Sequence, residues 1–234
     1  MASTGRPTGI FKITWWGHAC FSIYNEAIGL TIIFDPYKKE IGKLNLSGLK
    51  GDIILCSHDH FDHANWQAVS KWDSQYLVGV EGDKNIKNVK IRGVLTYHDE
   101  QRGRERGRNV VYVVGYGDGV FVHLGDLGHK LDEDQVERIK VFGRPHVLFV
   151  PVGGVFTIGP EKAIEVINQI EPHIAIPMHY YNEKLNQRIF GKLYRVDDFL
   201  SAWKGPVKRI ANNEFTLDLQ QIPQETTVYV LTPP

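Results

Sequence analysis

"CSHDHFDHAN", residues 56 to 65, sets three histidines and two aspartates into the six consecutive positions from His58 to His63. The run before it, Ile53-Ile54-Leu55-Cys56, reads as a short buried strand, so the cluster falls where a strand ends and a loop begins. That is where α/β proteins keep their chemistry. On an extended backbone His58 and His60 point to the same side. Asp62 and His63 follow on the turn into a helix expected over 64 to 72, and they face the same pocket from a second direction. Four such donors suit two neighbouring metals better than one, because a single tetrahedral site that keeps a position open rarely takes so many from one segment. A solvated surface loop is the alternative, but side chains this hydrophilic at a buried strand end need partners.

Outward from the cluster, strands are expected at residues 10 to 16, 20 to 24, 30 to 35 and 52 to 57, then 76 to 80 and 91 to 97. The second half repeats the theme with strands at 110 to 116, 120 to 126, 147 to 152 and 174 to 180, and helices near 132 to 141 and 160 to 171. The last helix is well marked: Gly159 caps it, Pro160 takes its first position, and Ala163, Ile164, Ile167 and Ile170 share one face. Strand-rich halves with interspersed helices predict two packed sheets covered by helices, a layered α/β sandwich. His98, Asp126 and His179 each close one of these apolar runs, which places them at the rim reached by His58. Singly each would be an ordinary satisfied polar group; together they complete two coordination shells.

The string "HDHFDH" (58 to 63), preceded by Asp35 in "IIFDPY" and followed by His98, Asp126 and His179, resembles the metallo-β-lactamase superfamily. More narrowly, "WWGHACF", "YHDEQRGRERGRN", "HLGDLGH", "PVGGVFTI" and "IPMHY" resemble the metal-dependent hydrolases related to ascorbate-6-phosphate lactonase, over about residues 12 to 180. The resemblance implies a four-layer αββα sandwich, and the chain, with no Ser/Pro-rich linker, low-complexity tract or repeat, is expected to form one domain over residues 1 to 234. It implies that His58, His60 and His98 hold one metal, that Asp62, His63 and His179 hold the other, and that Asp126 bridges them. Asp35 would orient ligands through hydrogen bonds, and Asp62 would also take part in catalysis. The expected activity is hydrolysis of a phosphoester or lactone by a hydroxide held between two divalent ions about 3.5 to 4 Å apart. β-Lactam-hydrolysing members usually lack an aspartate at the position of Asp126, which counts against antibiotic hydrolysis. Imidazole and carboxylate donors without thiolate suit Zn²⁺, placed first, or Mn²⁺ or Fe²⁺.

Several other residues bear on the substrate, expected to be a small molecule. Arg102, Arg104, Arg106 and Arg108 follow His98, and Arg104 or Arg106 could hold an anionic group, although Glu100 and Glu105 among them also fit a solvated loop. The resemblance places His18 and His129 near the metal rim, as proton donors, substrate-orienting groups or structural histidines. Trp15 and Trp16 read as sheet core and sheet surface. Gly153 and Gly154 let the backbone pass close to the site, and Thr157 reads as a ligand contact or a helix cap.

Composition narrows the alternatives. Lys+Arg and Asp+Glu both number 27, so a nucleic-acid partner is not expected, and a nuclease of the same superfamily is the second reading. A chain of this length has no room for the flavin domain of a di-iron reductase. A non-enzymatic metal-binding scaffold would be expected to have lost ligands, and none is missing. "MASTGRPTGI" shows no signal-peptide pattern and no apolar run approaches about 18 residues, so a cytoplasmic protein without membrane contact is expected. A homo-oligomer is compatible with the sequence. Cys20 and Cys56, both in apolar sequence, are expected as reduced buried thiols.

Overall fold

The computed structural model describes residues 9–234; most of the N-terminal stretch read above for targeting signals lies outside them. One sheet contains β1 (Ile10–Gly17), β2 (Cys20–Asn25), β3 (Leu30–Phe34), β4 (Gly51–Cys56), β5 (Ser70–Val78) and, at its far edge, β13 (Glu214–Asp218), in the order β13-β1-β2-β3-β4-β5. The other contains β6 (Gly82–Ile86), β7 (Val89–Tyr97), β8 (Arg108–Tyr116), β9 (Gly119–His123), β10 (Val147–Pro151), β11 (Ile174–Met178), β12 (Val207–Ile210) and β14 (Thr227–Leu231), in the order β12-β14-β11-β10-β9-β8-β7-β6. Both sheets are mixed, with β3, β4 and β5 parallel in the first and β9, β10, β11 and β14 parallel in the second.

The two-residue period of a strand explains the layering. Ile32, Phe34, Ile53 and Leu55 point into the core between the sheets, while Ile33, Ile54 and Cys56 point into a second core on the outer face. A strand buried on both faces reads as a continuous apolar run, as "IILC" does. Between the sheets, Phe21 meets Phe149 at 4.3 Å and Phe11 meets Phe121 at 4.9 Å. The helices are few: α1 (Trp66–Val69) lies on β4 and β5, α2 (Glu133–Ile139) on β7 and α3 (Pro160–Ile170) on β10. α4 (Gln187–Phe190) buries Phe190 in the outer core, and α5 (Val196–Ala202) packs on α3. No helix among the described residues is long and apolar enough to cross a membrane.

The helix expected over 64 to 72 is one turn long. Its carbonyls are taken early, Trp66 O by the Ser70 hydroxyl and Ala68 O by the Lys50 ammonium, and at Ser70 the chain enters β5. The strands expected to reach 126 and 180 stop at His123 and Met178 because Gly125 (φ 56°) and His179 (φ 54°) turn the chain in the left-handed region. Asp126 and His179 therefore sit on loops beyond the strands. The two cysteines are free and buried, as expected.

Candidate metal centre

Six strand ends converge here. His18 follows β1, Asp35 follows β3, His58 to His63 follow β4, His98 follows β7, Asp126 lies just beyond β9 and His179 follows β11. Several of these turns are strained: His18, Asp35, Val155 and His179 all have positive φ, between 44° and 61°. For residues with a Cβ each such conformation costs about 1–3 kcal/mol, and strain of this kind clusters at functional sites. The backbones also approach closely: a Cβ on Gly153 would stand 1.9 Å from His179 O, and one on Gly125 would stand 2.4 Å from Asn109 Oδ1. Only glycine allows these loops to nest.

The donors form three overlapping groups: His58, His60 and His98; His18, Asp62, His63 and His179; and His58, His63 and Asp126. Asp126 sits at the junction. Its Oδ2 is 3.0 Å from His98 Nε2, 3.2 Å from His63 Nε2, 3.4 Å from His179 Nε2 and 4.0 Å from His58 Nε2. All but His60 are buried. Among the described residues, His18 Nδ1, His58 Nε2, His63 Nε2, His98 Nδ1, Asp126 Oδ1 and both ring nitrogens of His179 have no hydrogen-bond partner. An unpaired buried polar atom costs about 1–3 kcal/mol, so this many in one place fits a site built for cations.

Hydrogen bonds fix which ring nitrogens face the cluster. The Asp35 carboxylate accepts from the Ser57 N–H and Ser57 hydroxyl, both at 2.7 Å, and from His63 Nδ1–H at 2.8 Å. With its proton committed to Asp35, the Ser57 hydroxyl can only accept from His58 Nδ1–H, at 2.9 Å. In their neutral form His58 and His63 therefore both leave Nε2 bare, as a metal ligand must. Asp126 is placed by Asn109, fully buried, whose Oδ1 accepts the Asp126 N–H at 2.9 Å while its amide donates to Thr96 Oγ1 and Leu124 O. His123 donates to Ala19 O and accepts from the Gly125 N–H, tying the turns after β1 and β9 together.

The charges balance within the cluster. Burial would raise the Asp126 carboxyl, but His179, His63 and His98 hold it well below the carboxylate range. Burial likewise opposes protonation of His63, yet Asp126, Asp62 and Asp35 hold it well above the usual imidazole value. His58 is pushed down by burial and by His63. Burial and the neighbouring His179 push His18 down to about 4.

A family model described as a β-lactamase superfamily domain matches residues 12–179, the span that carries every one of these donors. The chain belongs to the metallo-β-lactamase superfamily. Among its relatives, proteins of Thermoplasma acidophilum and Thermoplasma volcanium, both named UPF0173 metal-dependent hydrolases, are 30% and 31% identical over 192 residues, covering 72% of this chain and 83% of theirs. A crystal structure from Thermotoga maritima, provisionally described as a Zn-dependent hydrolase of the metallo-β-lactamase superfamily, is 35% identical and superposes with a TM-score of 0.71 over 95% of this chain and 100% of that one.

Not every expected residue joins the metallo-β-lactamase cluster. His129 has both ring nitrogens on backbone, Nε2 accepting from the Tyr97 N–H and Nδ1 donating to Lys130 O, so it pins the turn after Asp126. Thr157 bonds Ile158 O and caps no helix. Arg104 is exposed, Arg108 pairs with Glu81, and Arg106 lies over the Phe156 ring at 5.9 Å. Sequence reasoning missed Ser57, Asn109 and His123. Ser57 adjoins the cluster, but nothing in its residue type announces the link to Asp35, which is 22 positions away.

Proposed function

We propose that the protein is a metal-dependent hydrolase that takes two divalent ions, Zn²⁺ first, and cleaves a phosphoester or a lactone of small-molecule size. The observation that carries this reading is the place of Asp126, one carboxylate oxygen within reach of imidazoles from both donor groups. His58, His60 and His98 would hold one ion and Asp62, His63 and His179 the other. Ions there would acidify water and polarise the bond under attack. The resemblance of the motifs around His18, His98 and His179 to ascorbate-6-phosphate lactonase supports a lactone or a phosphate-bearing substrate.

The chain's own residues divide the remaining work. Asp35 and Ser57 hold His58 and His63 in the tautomer that offers Nε2. His18, neutral near pH 7, donates from Nε2 to Asp62 Oδ2 at 3.3 Å and fixes that carboxylate, a positioning role rather than proton donation to a leaving group. Elemental analysis of purified protein should return about two transition-metal ions per chain, and a panel of phosphodiesters, phosphotriesters, lactones and β-lactams with Zn²⁺, Mn²⁺ and Fe²⁺ should show turnover of the ester or lactone class. One ion per chain, unchanged by Asp62→Ala, would remove the dinuclear reading.

A further inference from the structure

Two loops beside the cluster carry side chains that the chemistry above does not use. The first, residues 99–107, leaves His98 and returns to it, His98 N–H donating to Gly107 O at 3.1 Å. Its shape is fixed from inside: the Asp99 carboxylate accepts backbone N–H groups from Gln101, Gly103, Glu105 and Arg106. From outside, Glu100 pairs with Lys162 of α3. The second loop, residues 152–159, is pressed against His179 at Gly153 and carries the strained, half-exposed Val155. Phe156 follows it.

These loops meet where the Arg106 guanidinium covers the Phe156 ring at 5.9 Å. A row of aromatic rings runs inward from there. Phe156 lies 6.0 Å from Phe190, and Phe190 lies 4.9 Å from His18, 6.3 Å from His179 and 6.4 Å from Phe61. Arg106 is only part exposed, and among the described residues its ion pair is with the adjacent Glu105, a loose 3.4 Å contact between half-exposed side chains. Its charge is thus held in place by the loop and the ring yet weakly spent.

We propose that Arg106 and Phe156 form a recognition subsite for a carboxylate-ended apolar substrate, with the scissile bond at the metal cluster. Through Phe156 and Phe190 the guanidinium stands two ring contacts from His18 and His179, and the anion that Arg106 binds is on this proposal a different group from the one hydrolysed. Apolar atoms of the substrate cross Phe156, where contact with the ring face is favourable, and the terminal carboxylate meets the guanidinium in a bidentate pair. Arg102 and Arg104, on the open side of the same loop, take no part. This assignment rests on the hydrolase reading for where the scissile bond lies, and on the loop geometry alone for the subsite.

Calorimetric titration of the metal-loaded protein with phenylbutyrate, its primary amide phenylbutyramide and glycerol phosphate tests it without turnover. Phenylbutyrate is expected to bind about tenfold more tightly than the amide, the order expected of a charge-assisted pair, whereas glycerol phosphate, which lacks an apolar stem, reports binding at the metals and should not respond to Arg106→Gln. Arg106→Gln should erase the difference between acid and amide, Phe156→Ala should weaken both alike, and Arg102→Gln should change neither; thermal melts would confirm that each variant is folded. The subsite is overturned if acid and amide bind equally to the native protein, if neither binds, if Arg106→Gln weakens glycerol phosphate as much as phenylbutyrate, or if Arg102→Gln matches Arg106→Gln. Failure of every ester and lactone in the turnover panel would sink the hydrolase reading while leaving these titrations decisive for the subsite.

Discussion

At the scale of single residues, Asp35 and Ser57 divide control of the two proposed ligand sets unequally. Asp35 reaches His63 directly and His58 only through Ser57. Ser57→Ala should release His58 to either tautomer and weaken the set of His58, His60 and His98 by about 10- to 100-fold in metal affinity, while the set containing His63 keeps its ion. Asp35→Asn should weaken both. Competition with a graded series of chelators reads the two affinities separately; equal loss at both sites in Ser57→Ala would mean that Ser57 is structural packing only. A different histidine sets a pH dependence away from the metals. His146 Nδ1 accepts from the Val120 N–H at 2.9 Å, and burial with the neighbouring His173 holds its pKa below 6.5. The unfolded chain therefore binds a proton that the folded chain refuses. The stability His146 contributes is present above pH 6.5 and is lost as pH falls below it. His146→Asn should flatten the fall in denaturation midpoint as pH drops below about 6.5; an unchanged slope would assign it to other groups.

At the scale of elements, the 99–107 loop shows how a carboxylate substitutes for secondary structure. Four N–H groups converge on Asp99 at 2.8 to 3.0 Å. Asp99→Ala leaves them without an acceptor, at about 1–3 kcal/mol for each that water does not reach. The variant should be cut by trypsin within the loop, at Arg102 or Arg104, at a protease level that spares the native protein; equal resistance would show that Glu100 and Lys162 suffice to hold it. The same contrast between strong and diffuse signals decided what the sequence disclosed. Apolar runs bounded by turns revealed β1 to β4 and the strands β7, β9 and β11 that lead to His98, Asp126 and His179, and Gly159-Pro160 marked the start of α3. The polar edge strand β6, "GDKNI", has no alternation to detect. The short β12 to β14 are held by pairing with other strands, such as Ile10 opposite Asp218, and α4 and α5 by packing on the outer core and on α3, which no local pattern records.

At the scale of the whole molecule, the ligand set is shared between the sheets. His58, His60, Asp62 and His63 hang from β4 of the first sheet, while His98, Asp126 and His179 hang from β7, β9 and β11 of the second. Ions bound to both sets would therefore staple the sheets at one end of the sandwich, and the unfolded chain, with these residues dispersed over more than a hundred positions, has no comparable site. Binding to the folded state alone stabilises by about 2.7 kcal/mol at a hundredfold excess over Kd, and each kcal/mol moves the melting temperature of a domain this large by about 2–4 °C. Stripping the ions with a chelator at pH 7 should thus lower Tm by at least about 5 °C, and Asp126→Asn, which weakens the shared carboxylate while keeping its shape, should reproduce part of that loss. The comparison needs elemental analysis before and after treatment. If the ions leave and Tm stays where it was, the apolar core between the sheets holds the sandwich closed without them, and the cluster is a catalytic fitting with no structural share.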